Sequence, residues 1–287
     1  MEDKDMKFKR KVAAFKTLDP TFPFPVEIGF SFTKEVLGDR PDGIEIHYDY
    51  EPPDVINTLT NLKKNVNYLE IGVDQGNTFN KIENTNLKHG VDPWGACESI
   101  SHKMTSQLFF AMNNRFFHNR YDIIFIDGMH LVEFVHAEIL ESFKILKKDG
   151  FIVLHDTCPY YMPAQLVIEE EYRDILDTVI SKPEKDRLKW HENTKVNDPI
   201  GYNGDAWKIV PWLRTLRNFT VFSIPNACIT IISTKKMPAF ESEHVLTTED
   251  IPKNTLTLPW EYYFEYFETI MNPYTMDYFK ANIGKYL

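Results

Sequence analysis

Three short apolar runs, Tyr68–Ile71, Tyr121–Ile126 and Phe151–Leu154, each run into a turn of glycine or ionisable residues. Between them lie stretches with helical spacing, and this alternation constrains the fold more than any other feature. A run such as Tyr121-Asp-Ile-Ile-Phe-Ile126 suits a strand buried on both faces, as in a parallel sheet covered by helices. The stretch Leu131–Leu146 sets Val132, Val135, Ile139, Phe143 and Leu146 along one stripe, with acids and lysines opposite. Its end is expected at Lys147-Lys-Asp-Gly150, basic residues followed by a glycine C-cap. Further helices are expected at Asp54–Lys64, capped by Asp54, at Ser101–Asn114 and at Gly204–Leu216, with a short one after Gly76. A short strand is expected at Lys88–Val91. The runs Phe219–Ser223 and Cys228–Ser233, joined by a Pro225-Asn226 turn, suit a closing antiparallel hairpin. The fold class is therefore α/β, a Rossmann-like doubly wound and mostly parallel sheet with a C-terminal antiparallel hairpin and an extension at each end.

Composition divides the chain. Residues 1–53 are irregular, because the prolines of Asp19-Pro-Thr-Phe-Pro-Phe-Pro25 and Pro41, Pro52 and Pro53 oppose both helix and central strand. They form an N-terminal extension that serves as a lid over the ligand mouth, as a partner arm or as core packing. Residues 54–236 form the main domain, with a polar, proline-punctuated insertion at 157–203 that is partly helical around Ala164–Ile180. Residues 237–287 form an aromatic extension in which Trp260, Tyr262, Tyr263, Phe264, Tyr266 and Phe267 suit either core packing or a homo-oligomer contact. The net charge of −10 argues against a nucleic-acid partner, which requires basic surface for phosphates. The one dense basic run, Lys7–Lys16, reads as a solvated terminal helix. Three widely spaced cysteines (Cys97, Cys158, Cys228) fit a reducing compartment. With no apolar h-region at the N-terminus and no apolar run of membrane length, no membrane partner and a cytoplasmic location are expected.

The chemistry is expected at the carboxyl ends of the strands, where parallel sheets hold their ligands. Tyr68-Leu-Glu-Ile-Gly-Val-Asp-Gln-Gly76 has the form E-x-G-x-x-x-G, with one glycine fewer than the dinucleotide fingerprint. It suits an adenosine-type cofactor without a diphosphate, or a plain tight turn. Asp92, on the following strand, suits a ribose diol. Asp127 and His130 follow one buried strand, and His155 and Asp156 follow the next. Charged groups at such positions need partners or a cation. Asp127 with Asp156, helped by His155, offers ligands for a hard divalent cation. His130 offers a general base. The structural alternatives are Asp127 as the cap of the helix at Leu131, and His130 and His155 as satisfied histidines.

Taken in order, Tyr68–Gly76, Gly90-Val-Asp-Pro-Trp94, Met104–Phe110, Ile124–His130 and Val153–Asp156 resemble class I S-adenosylmethionine-dependent methyltransferases. The nearest branch is that of small-molecule and sugar O-methyltransferases, and Gly204-Asp-Ala-Trp-Lys208 also resembles a segment of that branch. The resemblance spans roughly residues 54–235. It implies that Glu70, Gly72 and Gly76 surround the methionine end of S-adenosylmethionine. It also implies that Asp92 holds the ribose, that Ser106 and Phe109 border the adenine, and that Asp127 and His130 act in catalysis. Mg2+ is implied at Asp127, with Asp156 and His155 completing the candidate ligands read above, although metal-dependent relatives carry two adjacent acids where this chain has His155-Asp156. The implied reaction is in-line transfer of a methyl group to a hydroxyl of a sugar, glycan precursor or other small molecule. Tyr160, Tyr161, Trp190, Trp207 and Trp212 offer aromatic surface for that acceptor. The alternatives are a nicotinamide oxidoreductase, an RNA methyltransferase and a non-catalytic cofactor-binding or interaction protein.

Overall fold

In the computed structural model, residues 49–113, 119–159, 203–242, 245–251, 258, 262–263 and 266–286 are described. The first helix, α1 (Pro52–Thr60), begins earlier than its apolar spacing suggests. Pro52 and Pro53 start it rather than oppose it, because proline lacks the N–H that a first helical turn leaves unused anyway. Glu51 is the N-cap and Asp54 is the third helical residue. The two side chains form a reciprocal capping box, with Glu51 N–H donating to Asp54 Oδ2 at 2.8 Å. Asp54 thus closes the cap from inside the helix, and the regular fold starts within the segment assigned to the N-terminal extension.

The sheet has six strands: β1 (Val66–Ile71), β2 (Thr85–Val91), β3 (Tyr121–Ile126), β4 (Leu146–Leu154), β5 (Thr220–Ile224) and β6 (Ile229–Ser233). Their spatial order is β2-β1-β3-β4-β6-β5. The first four are parallel, and β6 runs antiparallel between β4 and β5. The doubly wound sheet and its closing hairpin are as the sequence predicts. A three-residue 3-10 turn, Pro225–Ala227, joins the hairpin strands, and Cys228 leaves it in the left-handed region.

Helices cover both faces. One face carries α2 (Ser106–Asn113), α3 (Val132–Ile145), α4 (Ile209–Thr215) and α5 (Phe267–Met271), packed on Leu69, Ile124, Ile126 and Ile152. The other carries α1 and α6 (Met276–Ile283), packed on Tyr68, Phe125, Val153 and Phe222. The glycine C-cap expected for α3 is not used. The helix ends at Ile145, and Leu146 is already extended and paired with Tyr121 in β4. Residues Lys147–Gly150 form the shift in β4 register, and Asp149, not Gly150, takes the positive φ of 60°. The stretch after Gly76 is a 3-10 turn, Phe79–Lys81, and the predicted helix at Gly204 divides into a 3-10 turn (Ala206–Lys208) and α4. Residues 1–48 of the N-terminal extension and the helix expected at Ala164–Ile180 lie outside the described residues.

Much of the described aromatic extension packs inward, although Tyr266 is exposed. Tyr263 meets Trp207 edge-on at 4.9 Å, and Phe279 and Tyr274 pack about Phe222 and Phe240. Trp207, read from sequence as acceptor surface, is wholly buried in this core. Trp212 stands edge-on to His136 at 4.9 Å. Among the described residues, no helix is long and apolar enough to cross a membrane.

Candidate active site

The chain order reverses between β1 and β3, and the site is built there. Asp127 N–H donates to Ile71 O at 2.8 Å, so the two strand ends stay paired beyond the sheet. Gly72 has φ of +87°, and a Cβ there would lie 2.1 Å from Asp127 O. The glycine is required because the turn lies flat against the next strand end. Gly76, at φ +80°, is pressed against Asn80 and Cys97. Both missing side chains therefore face protein, and the turn presents its backbone amides to its neighbours.

Those amides already have an acceptor. Asp92 Oδ2 accepts from Val73 N–H at 3.0 Å and Asp74 N–H at 2.9 Å. Its Oδ1 accepts from Trp94 N–H at 2.7 Å and Gly95 N–H at 2.5 Å. A carboxylate offers about four lone-pair sites, and here backbone donors take four. Asp92 thus latches the β1 turn to the end of β2. Glu70 lies beneath the turn, 1% exposed, and accepts from the Tyr68 hydroxyl at 2.5 Å. Burial pushes its carboxyl up to about 8, with the Asp127 charge adding to the shift and the Tyr68 hydroxyl opposing it.

Four ionisable groups meet above β3 and β4. Asp127 Oδ1 lies 2.8 Å from His155 Nδ1 and 3.1 Å from His130 Nε2. Asp156 Oδ2 lies 2.9 Å from His130 Nδ1 and 3.5 Å from His155 Nδ1. The sequence-predicted Asp127, His130, His155 and Asp156 are therefore brought into one cluster. Burial alone would neutralise all four, but their mutual attraction reverses that. The imidazoles hold both carboxyls below the usual range, Asp156 and Asp127 hold His130 well above its ordinary value, and the same carboxylates lift His155 to about 9. His130 and Asp156 both adopt left-handed backbone, at φ 54° and 55°. Each such residue costs about 1 kcal/mol or more, strain of a kind that collects at functional positions.

Asp127 is not the cap of α3. That role falls to Asp205, whose Oδ1 accepts from Val132 N–H at 2.8 Å, and Asp205 N–H in turn donates to His130 O at 3.1 Å. Asn203 Nδ2 donates to Asp156 Oδ1 at 2.5 Å. Gly204, at φ +61°, has its missing Cβ 2.3 Å from His130 O. The short segment 203–205 thus clamps the backbone of His130 and the carboxylate of Asp156. Asn203 and the role of Asp205 went unread in the sequence, although the block Gly204–Lys208 carried the signal.

Ser106 and Phe109 are both buried. Ser106 Oγ donates to Glu138 Oε1 at 2.6 Å, and Phe109 is wholly buried, tilted against His102 at 5.0 Å. Glu138, also missed in the sequence, is 3% exposed on the inner face of α3, and burial pushes its carboxyl up to about 7. Its place in the apolar stripe, one residue before Ile139, was the available signal. Asp127, His130 and Asp156 offer donor atoms within 4.8 Å of one another, a spacing that fits one cation. That set is two carboxylates and one imidazole, with His155 beside both carboxylates. Such mixed nitrogen and oxygen donors fit a divalent transition metal better than Mg2+, which favours oxygen.

Residues 69–157, which run from the second half of β1 through β4 and include every group of this cluster, match one family model. The match is to a methyltransferase domain. It covers most of the residues that carry the resemblance to class I S-adenosylmethionine-dependent methyltransferases, but not Gly204–Lys208. No curated protein matches the sequence. Low-identity matches among solved structures include the MycE methyltransferase of the mycinamycin biosynthetic pathway, in complex with Mg and SAH. It is 15% identical over 60% of this chain and 46% of its own, with a TM-score of 0.33. An O-methyltransferase from Bacillus cereus in complex with SAH is 11% identical over 81% and 90%, with a TM-score of 0.36. A protein from Corynebacterium glutamicum is 11% identical over 84% and 92%, also at 0.36. The chain spans about half the length of the mycinamycin-pathway methyltransferase it matches.

Proposed function

We propose that the protein is an S-adenosylmethionine-dependent O-methyltransferase that acts on a hydroxyl of a sugar, a glycan precursor or another small molecule. The observation that carries the reading is the Asp127–His130–His155–Asp156 cluster beside the Gly72 turn, inside the segment that matches a methyltransferase domain. The cofactor supplies a methyl group on a sulfonium, a good leaving group that needs no acid. The acceptor hydroxyl is the weak partner and has to lose its proton as it attacks. His130 is the proposed base. Its ring is fixed by contacts to Asp127 and Asp156, and the 203–205 clamp fixes its backbone. Between two carboxylates the imidazole favours its cation, so the base form is reached only when that negative charge is offset. A divalent cation at Asp127 and Asp156, with His155 beside them, would supply the offset and polarise the acceptor oxygen. The remaining task of the chain is to align oxygen, carbon and sulfur, a positioning effect that contributes roughly 7–11 kcal/mol in favourable cases.

The test is isothermal titration with S-adenosylhomocysteine, with and without Mn2+ or Mg2+, followed by transfer of a labelled methyl group to a panel of sugars and phenols. Saturable binding and a labelled product support the reading, and His130→Ala should then lower transfer at least about a hundredfold at unchanged cofactor affinity. Folded protein that binds no cofactor sinks it.

A further inference from the structure

The two oxygens of Asp156 meet different partners. Oδ2 faces the imidazoles, 2.9 Å from His130 Nδ1 and 3.5 Å from His155 Nδ1. Oδ1 accepts from Asn203 Nδ2 at 2.5 Å. The same nitrogen also donates to Cys228 Sγ at 3.4 Å, so both hydrogens of the carboxamide are committed. That pairing fixes the sense of the amide, because its oxygen turned toward Asp156 would set acceptor against acceptor. Both side chains are buried, Asn203 at 4% and Asp156 at 6% exposure.

A buried carboxylate oxygen needs a donor, and that need alone accounts for an amide at this place. It does not account for how firmly the amide is held. Gly204, next in the chain, has its missing Cβ 2.3 Å from His130 O, and Asp205 N–H donates to that same oxygen at 3.1 Å. On the other side, Cys228 Sγ also accepts from Cys158 N–H at 3.4 Å. Asn203 is thus tied to the loop of His130 through its chain neighbours and to the hairpin through its side chain. Asp127, His130 and Asp156 each bring one donor atom within 4.8 Å of the others. With Oδ1 held by Asn203, Asp156 brings Oδ2 and no second oxygen. Ion choice depends on this. Ca2+ gathers about six to eight oxygens and readily takes two from one carboxylate, whereas smaller divalent ions work with fewer ligands.

We propose that Asn203 is a positioning residue that sets the ion preference of the cluster: by holding Oδ1 it makes Asp156 a one-oxygen ligand and turns the site against Ca2+. The proposal rests on the reading above that the cluster holds a divalent cation. The experiment titrates the full chain calorimetrically with MnCl2 and, separately, CaCl2, beside Asn203→Leu, which fills the space without a donor. The parent chain is expected to bind Mn2+ more tightly than Ca2+. In Asn203→Leu the Mn2+ affinity should fall about 10–100-fold, the usual effect of losing a group that orients a metal ligand. Ca2+, which gains Oδ1, should lose less, so the preference narrows. Asn203→Ser, a smaller change, should move both affinities in the same directions, and it decides the question if a thermal melt shows Asn203→Leu to be unfolded. A merely structural role would weaken both ions in proportion. That result, or variants that bind both ions as the parent does, overturns the proposal and leaves the cation reading standing. A parent that binds Ca2+ as tightly as Mn2+ does the same. A parent that binds neither ion overturns the proposal and the cation reading together.

Discussion

Replacing Asp92 separates two roles for one carboxylate. If the side chain serves as the latch seen here, Asp92→Ala removes the acceptor of four backbone N–H groups at once. Each such bond contributes about 1 kcal/mol net, and more when a buried donor is left without a partner. Val73 and Gly95 are buried donors, whereas Asp74 is exposed and its amide can turn to water. The loss is therefore about 4 kcal/mol, a large part of the roughly 5–15 kcal/mol that holds a domain together. That corresponds to a fall in melting temperature on the order of 10 °C. Asp92→Asn keeps one acceptor oxygen but turns an amide N–H₂ toward two backbone donors, so it should lose about half as much. Thermal unfolding by circular dichroism reads both variants, with S-adenosylhomocysteine titrations run well below the melting point. An unchanged melting temperature with cofactor affinity abolished would refute the latch and return Asp92 to the ribose.

Three further outcomes are expected. Glu138 has a folded value of about 7 against an ordinary 4.5, so between those values the folded state holds the extra proton and stability falls as pH rises toward 7. Glu138→Gln should remove that slope and be more stable than the parent at pH 8, by up to about 3 kcal/mol, yet equal to it near pH 4 in thermal melts. Cofactor-free protein should bind Mn2+ or Zn2+ more tightly than Mg2+, and His155→Glu should shift the preference toward Mg2+ by about tenfold in calorimetric titrations; failure of both proteins to bind any of these ions would refute a metal role for the cluster. Asp205→Ala should uncap α3 for about 1 kcal/mol and raise hydrogen exchange at Val132 to Val135, while exchange in β1 stays unchanged.

Period and burial made the sheet legible. The apolar runs at Tyr68, Tyr121 and Phe151 could be nothing but buried strands, and Asp127, His130, His155 and Asp156 converge because parallel strands end on one side. Boundaries were less legible wherever a distant group decides them. Gly150 looks like a helix stop, yet Tyr121 recruits Leu146 into the sheet four residues sooner. Asp127 looks like the cap of α3, yet Asp205 reaches it from 73 residues on, and no local pattern encodes such a reach. The spacing of Asp92 from Gly72 suits a ribose ligand, and the four backbone donors that it also meets are not legible in that spacing.

Cys228 has a consequence for the cluster beside it. Its carbonyl accepts from Thr157 N–H at 3.3 Å, and its sulfur accepts from Cys158 N–H and from Asn203 Nδ2, both at 3.4 Å. The chain leaves the sheet and comes back to it at a single residue of β6's approach. One residue of the hairpin thus ties Thr157, Cys158 and Asn203 together beside Asp156, so a change at Cys228 reaches the cluster without touching any of its four ionisable groups.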